Sequence, residues 1–401
     1  MRRSFVYSTA SFFAFLGIVF IPVPFNLFKK QLSITDFLFG DLIGFVSKNV
    51  FRTQLSDTHV YSDTRAMYVL VLILFILSIL VTAILSTLKA WRKHKDRVLK
   101  FIYLLVCYYL ALQLLKYGAD KIFKNQFYLP EPNTLYTPTG KVPRDLLYWS
   151  SMGTSHFYNV FLGAIEVIAA LFLLIKRTRL IGLLVSLFIM LNVLAVNFGF
   201  DISVKLFSLL LIFYIIYLLE PYVKSLSQFF FSKTPATVTQ FVNKERLVKN
   251  RLLSTFLKWF ATGIILLEAF YPFMRSGNFN GDKAKRPYMH GAYEVQQFIA
   301  GADTLQPNKF PVKRFFIHKD NYMIFQGDND EMVDYKLVYD TGKQQYVLVD
   351  YNMKNEPIWL KYNAADSTLQ VSFRLNQLTG KALDWRKLPA LQKEFHWTVD
   401  E

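Results

Sequence analysis

Long apolar runs separated by short polar pieces fill the first two thirds of the chain. Seven such runs stand out: Phe5–Phe28, Met67–Leu88, Phe101–Leu115 with a polar extension, Phe157–Ile175, Leu180–Phe198, Ile202–Leu219 and Leu252–Phe273. About 20 apolar residues at a rise of roughly 1.5 Å each match the ~30 Å hydrocarbon core of a bilayer, so the pattern predicts seven membrane-spanning helices. The first run follows Met-Arg-Arg, as a signal peptide would. It is too long for a signal h-region, lacks an A-x-A site and is followed by another span, so it reads as an anchor.

The pattern changes after Arg275-Ser-Gly-Asn-Phe-Asn-Gly. Short alternating runs take over: VKRFFIH (312–318), NYMIFQ (321–326), DYKLVYD (334–340), QYVLVDY (345–351), PIWLKYN (357–363) and TLQVSFRL (368–375). Period-two runs divided by polar turns such as Gly327-Asp328-Asn329-Asp330 predict an antiparallel β-meander closed into a small barrel or sandwich of about eight strands. Alternate residues share a face, which predicts inward-facing pairs at Phe315/Ile317, Val347/Val349 and Val371/Phe373. The predicted organisation is therefore two N-terminal spans with an outer loop (1–97), a four-helix bundle (98–220), a cytoplasmic loop and last span (221–274), and an exterior β domain (275–401).

Charge sets the expected orientation. With the N-terminus in the cytoplasm, the segments 1–4, 89–100, 176–179 and 220–251 hold 17 basic residues against Asp96, Glu220 and Glu245, while the whole chain is only +17. This is the positive-inside pattern of a cytoplasmic (bacterial inner) membrane protein with its C-terminal domain outside. Residues 275–401 carry 17 basic and 16 acidic groups and are nearly neutral. Because the basic residues flank spans, membrane lipid headgroups rather than nucleic acid are their natural counter-charge. Cys107 is the single cysteine, which excludes an intramolecular disulfide and a CxxC redox centre. The six histidines show no ligand spacing, so no metal site is expected.

Candidate chemistry lies in the third to sixth spans. Glu166 sits mid-span, where a bare charge costs about 2.5–3.5 kcal/mol, so it needs a proton or a partner from another helix. Gln113, Lys116, Tyr117 and Asp120 recur on one helical face, with Lys116 and Asp120 at pairing distance along it. Asn192 and Asn197 follow, then Asp201 and Lys205, a second i, i+4 pair. Each has a plainer reading: Asn and Gln tie helices together, lysines snorkel, Asp201/Lys205 closes a loop, and Glu268 near the end of the last span reaches water.

The runs YGADKIFKNQF (117–127), LYTPTG (135–140), LLYWSSMGTSHFYNVFLGAIEV (146–167), LLIKRTRLIG (173–182) and NVLAVNFGFDISVKLFS (192–208) resemble the DoxX-like membrane proteins, over roughly residues 98–220. Similar proteins often carry Arg where Cys107 aligns. The resemblance implies a four-helix membrane bundle related to those of vitamin K epoxide reductase and thiosulfate:quinone oxidoreductase subunits. Together with the residues, it leads to the expectation of a bundle that binds a quinone-like or amphipathic ligand in a redox-linked or envelope-maintenance role. Glu166 would exchange a proton, and Lys116, Tyr117, Asp120, Lys121, Tyr158, Asn192, Asn197, Asp201 and Lys205 would bind the ligand. The alternative is a non-enzymatic scaffold or assembly factor whose β domain recruits an envelope protein partner.

Overall fold

The computed structural model describes residues 2–23, 25–27, 30–53, 55, 57–231, 250–392 and 398. Most of the basic loop 220–251, and residues 393–397 and 399–401, lie outside the described residues. Two compact units emerge: Met1–Gln126 with Phe157–Phe279, and Phe127–His156 with Asn280–Glu401.

Among the described residues eleven α-helices run in the order α1 (Arg2–Phe20), α2 (Gln31–Asn49), α3 (Arg65–Thr87), α4 (Lys89–Ile122), α5 (Pro132–Leu135), α6 (Arg144–Thr154), α7 (His156–Leu174), α8 (Arg179–Gly199), α9 (Lys205–Leu219), α10 (Val223–Phe231) and α11 (Arg251–Ser276). Among the described residues six helical stretches, beginning at Arg65, Lys89, His156, Arg179, Lys205 and Arg251, are long and apolar enough to cross a membrane. The first predicted span is shorter than its apolar run: α1 stops at Phe20, before Pro22. Its 19 residues still reach about 28 Å at 1.5 Å per residue.

The segment expected to be an outer loop contains α2, and α2 exists to finish α1. The last carbonyls of a helix have no partner within it. Here the Gln31 amide donates to the carbonyls of Ile18 (3.1 Å), Val19 (3.1 Å) and Ile21 (3.0 Å), while Thr35 Oγ1 donates to Phe20 (2.8 Å). Gln31 Oε1 also accepts from the Val23 amide at 3.2 Å. The buried face of α2, Gln31, Thr35, Phe39, Ile43 and Ser47, repeats every four residues and mixes polar with apolar side chains. That mixture, with Asp36 and Asp41 on the same helix, hid it from a search for apolar runs.

The second unit is a closed barrel. Its strands are β1 (Gly291–Ala300), β2 (Asp303–Thr304), β3 (Arg314–His318), β4 (Tyr322–Gln326), β5 (Met332–Asp340), β6 (Gln345–Val349), β7 (Asn355–Asn363), β8 (Thr368–Phe373) and β9 (Asn376–Leu383). Neighbours from β3 to β9 pair in sequence order, and β1 pairs with both β3 and β9, so eight antiparallel strands close while β2 only extends β1. Closure removes the free edges that would otherwise template aggregation. Six strands match the alternating runs. β1 and β9 do not show in the pattern, because β1 carries a bulge between Val295 and Gln297 and β9 is mostly polar.

Phe315, Ile317, Val371 and Phe373 pack in the barrel interior. The expected Val347/Val349 pair is on the wrong face: Leu348 is the buried residue, opposite Leu337 of β5. Cross-strand partners share a face, so Leu337 fixes the register of β6, which its own all-apolar centre cannot. Phe315 fits because β9 has a glycine beneath it: a Cβ on Gly380 would lie 2.4 Å from its ring. The outer face of β3 is also covered. Phe316 is fully buried, with Tyr136 at 6.1 Å between ring centroids and Leu135 in the same cluster. The stretch 127–156, read from sequence as part of the helical bundle, thus packs on the barrel.

Replacing Gln31 by Leu leaves three backbone carbonyls unserved. Unpartnered buried polar groups cost about 1–3 kcal/mol each, so Gln31→Leu is expected to lower the detergent-solubilised protein's thermal midpoint markedly, with Gln31→Glu intermediate. A midpoint equal to wild type in a fluorescence melt would contradict the capping role of α2.

Candidate functional site

Two glycines determine where the charged side chains of α4 and α7 meet. A Cβ on Gly118 would lie 2.8 Å from the Gly163 carbonyl oxygen, and one on Gly163 would lie 2.5 Å from that of Gly118. Backbones approach this closely only where both residues are small. Further along the same pair, Cys107 Sγ donates to the Leu173 carbonyl at 3.6 Å, so the two helices run antiparallel. Reaching across this crossing from opposite sides, each three residues on from its glycine, Lys121 Nζ sits 2.9 Å from both carboxylate oxygens of Glu166. Both side chains are buried, at 8% and 5% exposure. The Lys121 ammonium also lies 5.6 Å from the centre of the Tyr117 ring, within cation–π range. Glu166 therefore has the cross-helix partner that its position demands.

A second buried carboxylate is tied to a loop. Glu268 of α11 is 3% exposed, so it does not reach water as the sequence suggested. It accepts from the backbone amides of Asn26 and Leu27, the latter at 2.9 Å, and its own carbonyl receives the Asn26 amide at 3.0 Å. Lys116 Nζ approaches it at 3.8 Å. The shortest ion-pair contact of Lys116 is this cross-helix one, while Asp120 still attracts it electrostatically and itself accepts from Asn125 Nδ2 at 2.9 Å. Helix spacing put Lys116 near Asp120, but a lysine stem is long enough to choose a partner on another helix.

The remaining candidates do not converge on Glu166. Asn197 donates to Ser208 Oγ at 2.6 Å, a buried tie between α8 and α9. Asn192 is exposed on α8, away from the buried face of Asn197, since five residues turn a helix by about 140°. Tyr158 is exposed and stacks on Phe161. Asp201 and Lys205 pair at 2.7 Å at the start of α9, with Asp201 itself exposed. Midway along α4, Arg179 brings its guanidinium beside Cys107, and its Nε donates to the Leu173 carbonyl at 3.1 Å.

Beside this cluster the helical unit holds a cavity of about 370 Å³. Phe13, Met67, Val71, Leu210 and Phe213 form apolar walls, with Tyr117 and Ser62 as polar members of the lining. Glu166 is not among the described lining residues; Tyr117 is the residue common to the cavity and the ion pair. Among the described residues, no group of three or more His, Cys, Asp or Glu side chains is placed to hold a metal.

The barrel unit contains a buried acid that sequence reasoning missed. Glu131, 4% exposed, bonds His290 Nε2 at 2.7 Å, Arg286 at 3.2 Å and the Lys319 backbone amide at 3.1 Å. Burial alone would raise its carboxyl, but the His290 hydrogen bond and charge, with His318 and Arg286, hold it below the usual carboxylate range. Burial also lowers the His318 imidazole, against the pull of Glu131 and Asp320. The cluster ties the 130s segment to β1 and β3. Its one sequence signal was an acid between two prolines, Pro130-Glu131-Pro132, where the chain is held extended.

The fold and these sites define a multi-pass helical membrane protein with an appended eight-stranded barrel. Over 103 residues the chain is 34% identical to "Uncharacterized protein YwoB" of Bacillus subtilis (strain 168). That match covers 26% of this chain and 65% of the relative, so it spans less than two thirds of the relative's length. No family model matches the chain, the DoxX-like resemblance included, and no solved structure matches it.

Two predictions follow from the geometry. Removing one member of a buried ion pair costs about 3–5 kcal/mol, whereas replacing both with apolar groups is often neutral. Glu166→Gln or Lys121→Met should each lower stability by that order, and Lys121→Met/Glu166→Leu should recover most of it; additive losses in a double-mutant cycle would show the pair to be uncoupled. In the barrel, His318 and Glu131 both bind protons less readily folded than unfolded, so acid destabilises. The His318 contribution is lost as pH falls below its ordinary 6.5, and that of Glu131 is lost below 4.5. Hydrogen-exchange protection of β3 and β4 amides, corrected for intrinsic rates, should fall from pH 7 to 5 in wild type and much less in His318→Gln.

Proposed function

We propose that this chain is a cytoplasmic-membrane protein of the DoxX-like type that holds an amphipathic membrane molecule between α1, α3, α4 and α9. The cavity of about 370 Å³ carries this reading: it lies within the usual range for small-ligand sites, and its lining is apolar apart from a few polar groups. A quinone suits such a site, with an apolar ring and tail against Phe13, Leu210 and Phe213 and a ring oxygen accepting a hydrogen bond from Tyr117. Tyr117 would then link the bound ring to the Lys121–Glu166 pair, whose proton can be shared between carboxylate and amine as the ligand's charge changes. In this role Glu166 and Lys121 are positioning and proton-holding groups reached through Tyr117. Asn197, Asp201 and Lys205 organise the helix ends, and a redox-linked or envelope-maintenance activity is the context.

A second reading is favoured by the closed geometry of the Lys121–Glu166 pair, which serves equally as a rivet between helices. The helical unit is then an anchor, and the barrel recruits an envelope protein partner.

Native mass spectrometry of the detergent-purified chain separates the two. The ligand reading expects a quinone or lipid adduct that is depleted in Val71→Trp, a substitution that fills the cavity. Absence of any adduct, with Val71→Trp fully active in a deletion background, would favour the anchor. The proposed orientation, N-terminus in the cytoplasm and barrel outside, rests on 17 basic residues in four segments. A reporter joined after Glu401 should work only in its exterior-active form.

A further inference from the structure

The barrel unit has a site of its own. At one end of the barrel the inward-facing side chains stop short of filling the space, and a cavity of about 530 Å³ remains. Its floor is apolar and largely aromatic: Phe298, Phe325, Tyr335, Leu348 and Phe373. Eight-stranded barrels have just enough interior to be filled by side chains or to hold one small molecule, and this one does the first along its length and leaves room at its mouth.

One feature of the mouth is unusual for a merely unfilled end. Glu356 stands on β7 two residues before the fully buried Ile358, so it faces the interior, and it lines the cavity. Its Oε2 accepts from Arg374 Nη2 at 2.6 Å. Its Oε1 is buried and has no hydrogen-bond partner. A buried acceptor left unpaired is costly, and an inward-pointing carboxylate at a barrel rim adds nothing to packing. Elsewhere on the rim, Asp350 Oδ1 is occupied by the backbone amides of Asn352 and Lys354, each at 2.8 Å. Glu356 Oε1 is thus a buried acceptor available above an aromatic floor.

We infer that the barrel mouth binds a small, largely apolar molecule through an uncharged hydrogen-bond donor, a hydroxyl group, directed at Glu356 Oε1. The donor is uncharged because Arg374 and Lys354 already balance Glu356 and Asp350 in the lining, so an ammonium would leave the site with excess positive charge. The apolar body occupies the aromatic floor. This site is independent of the cavity in the helical unit, so each stands or falls by its own test.

The test uses the full chain in lipid nanodiscs and photolabelling by 4-(hydroxymethyl)benzophenone, an aromatic body with a single hydroxyl. After irradiation and digestion, labelled peptides are mapped by mass spectrometry. Saturable labelling of the peptides bearing Phe298, Tyr335 and Phe373 is expected, and the methyl ether of the same probe, which has no donor, should label them about tenfold less, the ratio for one lost hydrogen bond. Val312→Trp, which fills the mouth from its edge, should abolish this labelling while circular dichroism stays unchanged. Labelling that is unsaturable and spread over the membrane spans overturns the site. Equal labelling by alcohol and ether overturns the assignment of Glu356 as the recognising group.

Discussion

Hydrocarbon offers no water to a charged side chain, and much of the helical unit is arranged around that fact. Lys121 and Glu166 sit on different helices and can meet only if those helices touch. The paired glycines, Gly118 and Gly163, make the touch possible, since any side chain at either position would collide with the opposing carbonyl. Once α4 and α7 are locked there, the ammonium and the carboxylate meet across the crossing at 2.9 Å, and Tyr117 is pressed between the pair and the neighbouring cavity. Removing the crossing would separate the charges and expose each to a medium that penalises it.

The same accounting explains the α1–α2 corner. A helix that ends inside or near a bilayer leaves carbonyls that water cannot reach. Gln31 and Thr35 serve four of them, so a helix with a polar buried stripe does for α1 what solvent does for a soluble helix. Glu268 meets the reciprocal need, giving an acceptor to the amides of Asn26 and Leu27. In the barrel unit, Glu131 binds the 130s segment to β1 and β3 through His290, Arg286 and the Lys319 amide, while Phe316 and Tyr136 add an apolar seal. Gln31, Glu268 and Glu131 thus act as fasteners, each holding a segment outside its own helix or turn.

How much of this was legible in the sequence depends on the range of the interaction. Glu166 declared itself because a charge inside an apolar run is anomalous whatever surrounds it, yet its partner Lys121 looked no different from Lys116. The pairing of Lys116 with Glu268, the exposure of Asn192 and the burial of Glu131 could not be read, since each depends on which helix or strand packs opposite. Leu348 shows the same limit in the barrel: VLV has no alternation of its own, and only pairing with Leu337 decides which residue turns inward.

The sequence by itself determined the classes of element and their solvent. Among the described residues six helical stretches are apolar for the length of a bilayer, and the alternating runs after Arg275 form a half-buried antiparallel sheet, because hydropathy and period act locally along the chain. Tertiary structure decided everything that needed two distant segments at once. It turned a supposed loop into the capping helix α2, moved residues 127–156 onto the barrel, closed β1 on β9, chose the ion pairs, and left cavities where side chains failed to meet. Their physical basis is contact and desolvation between residues far apart in number, and that information appears only when the chain has folded.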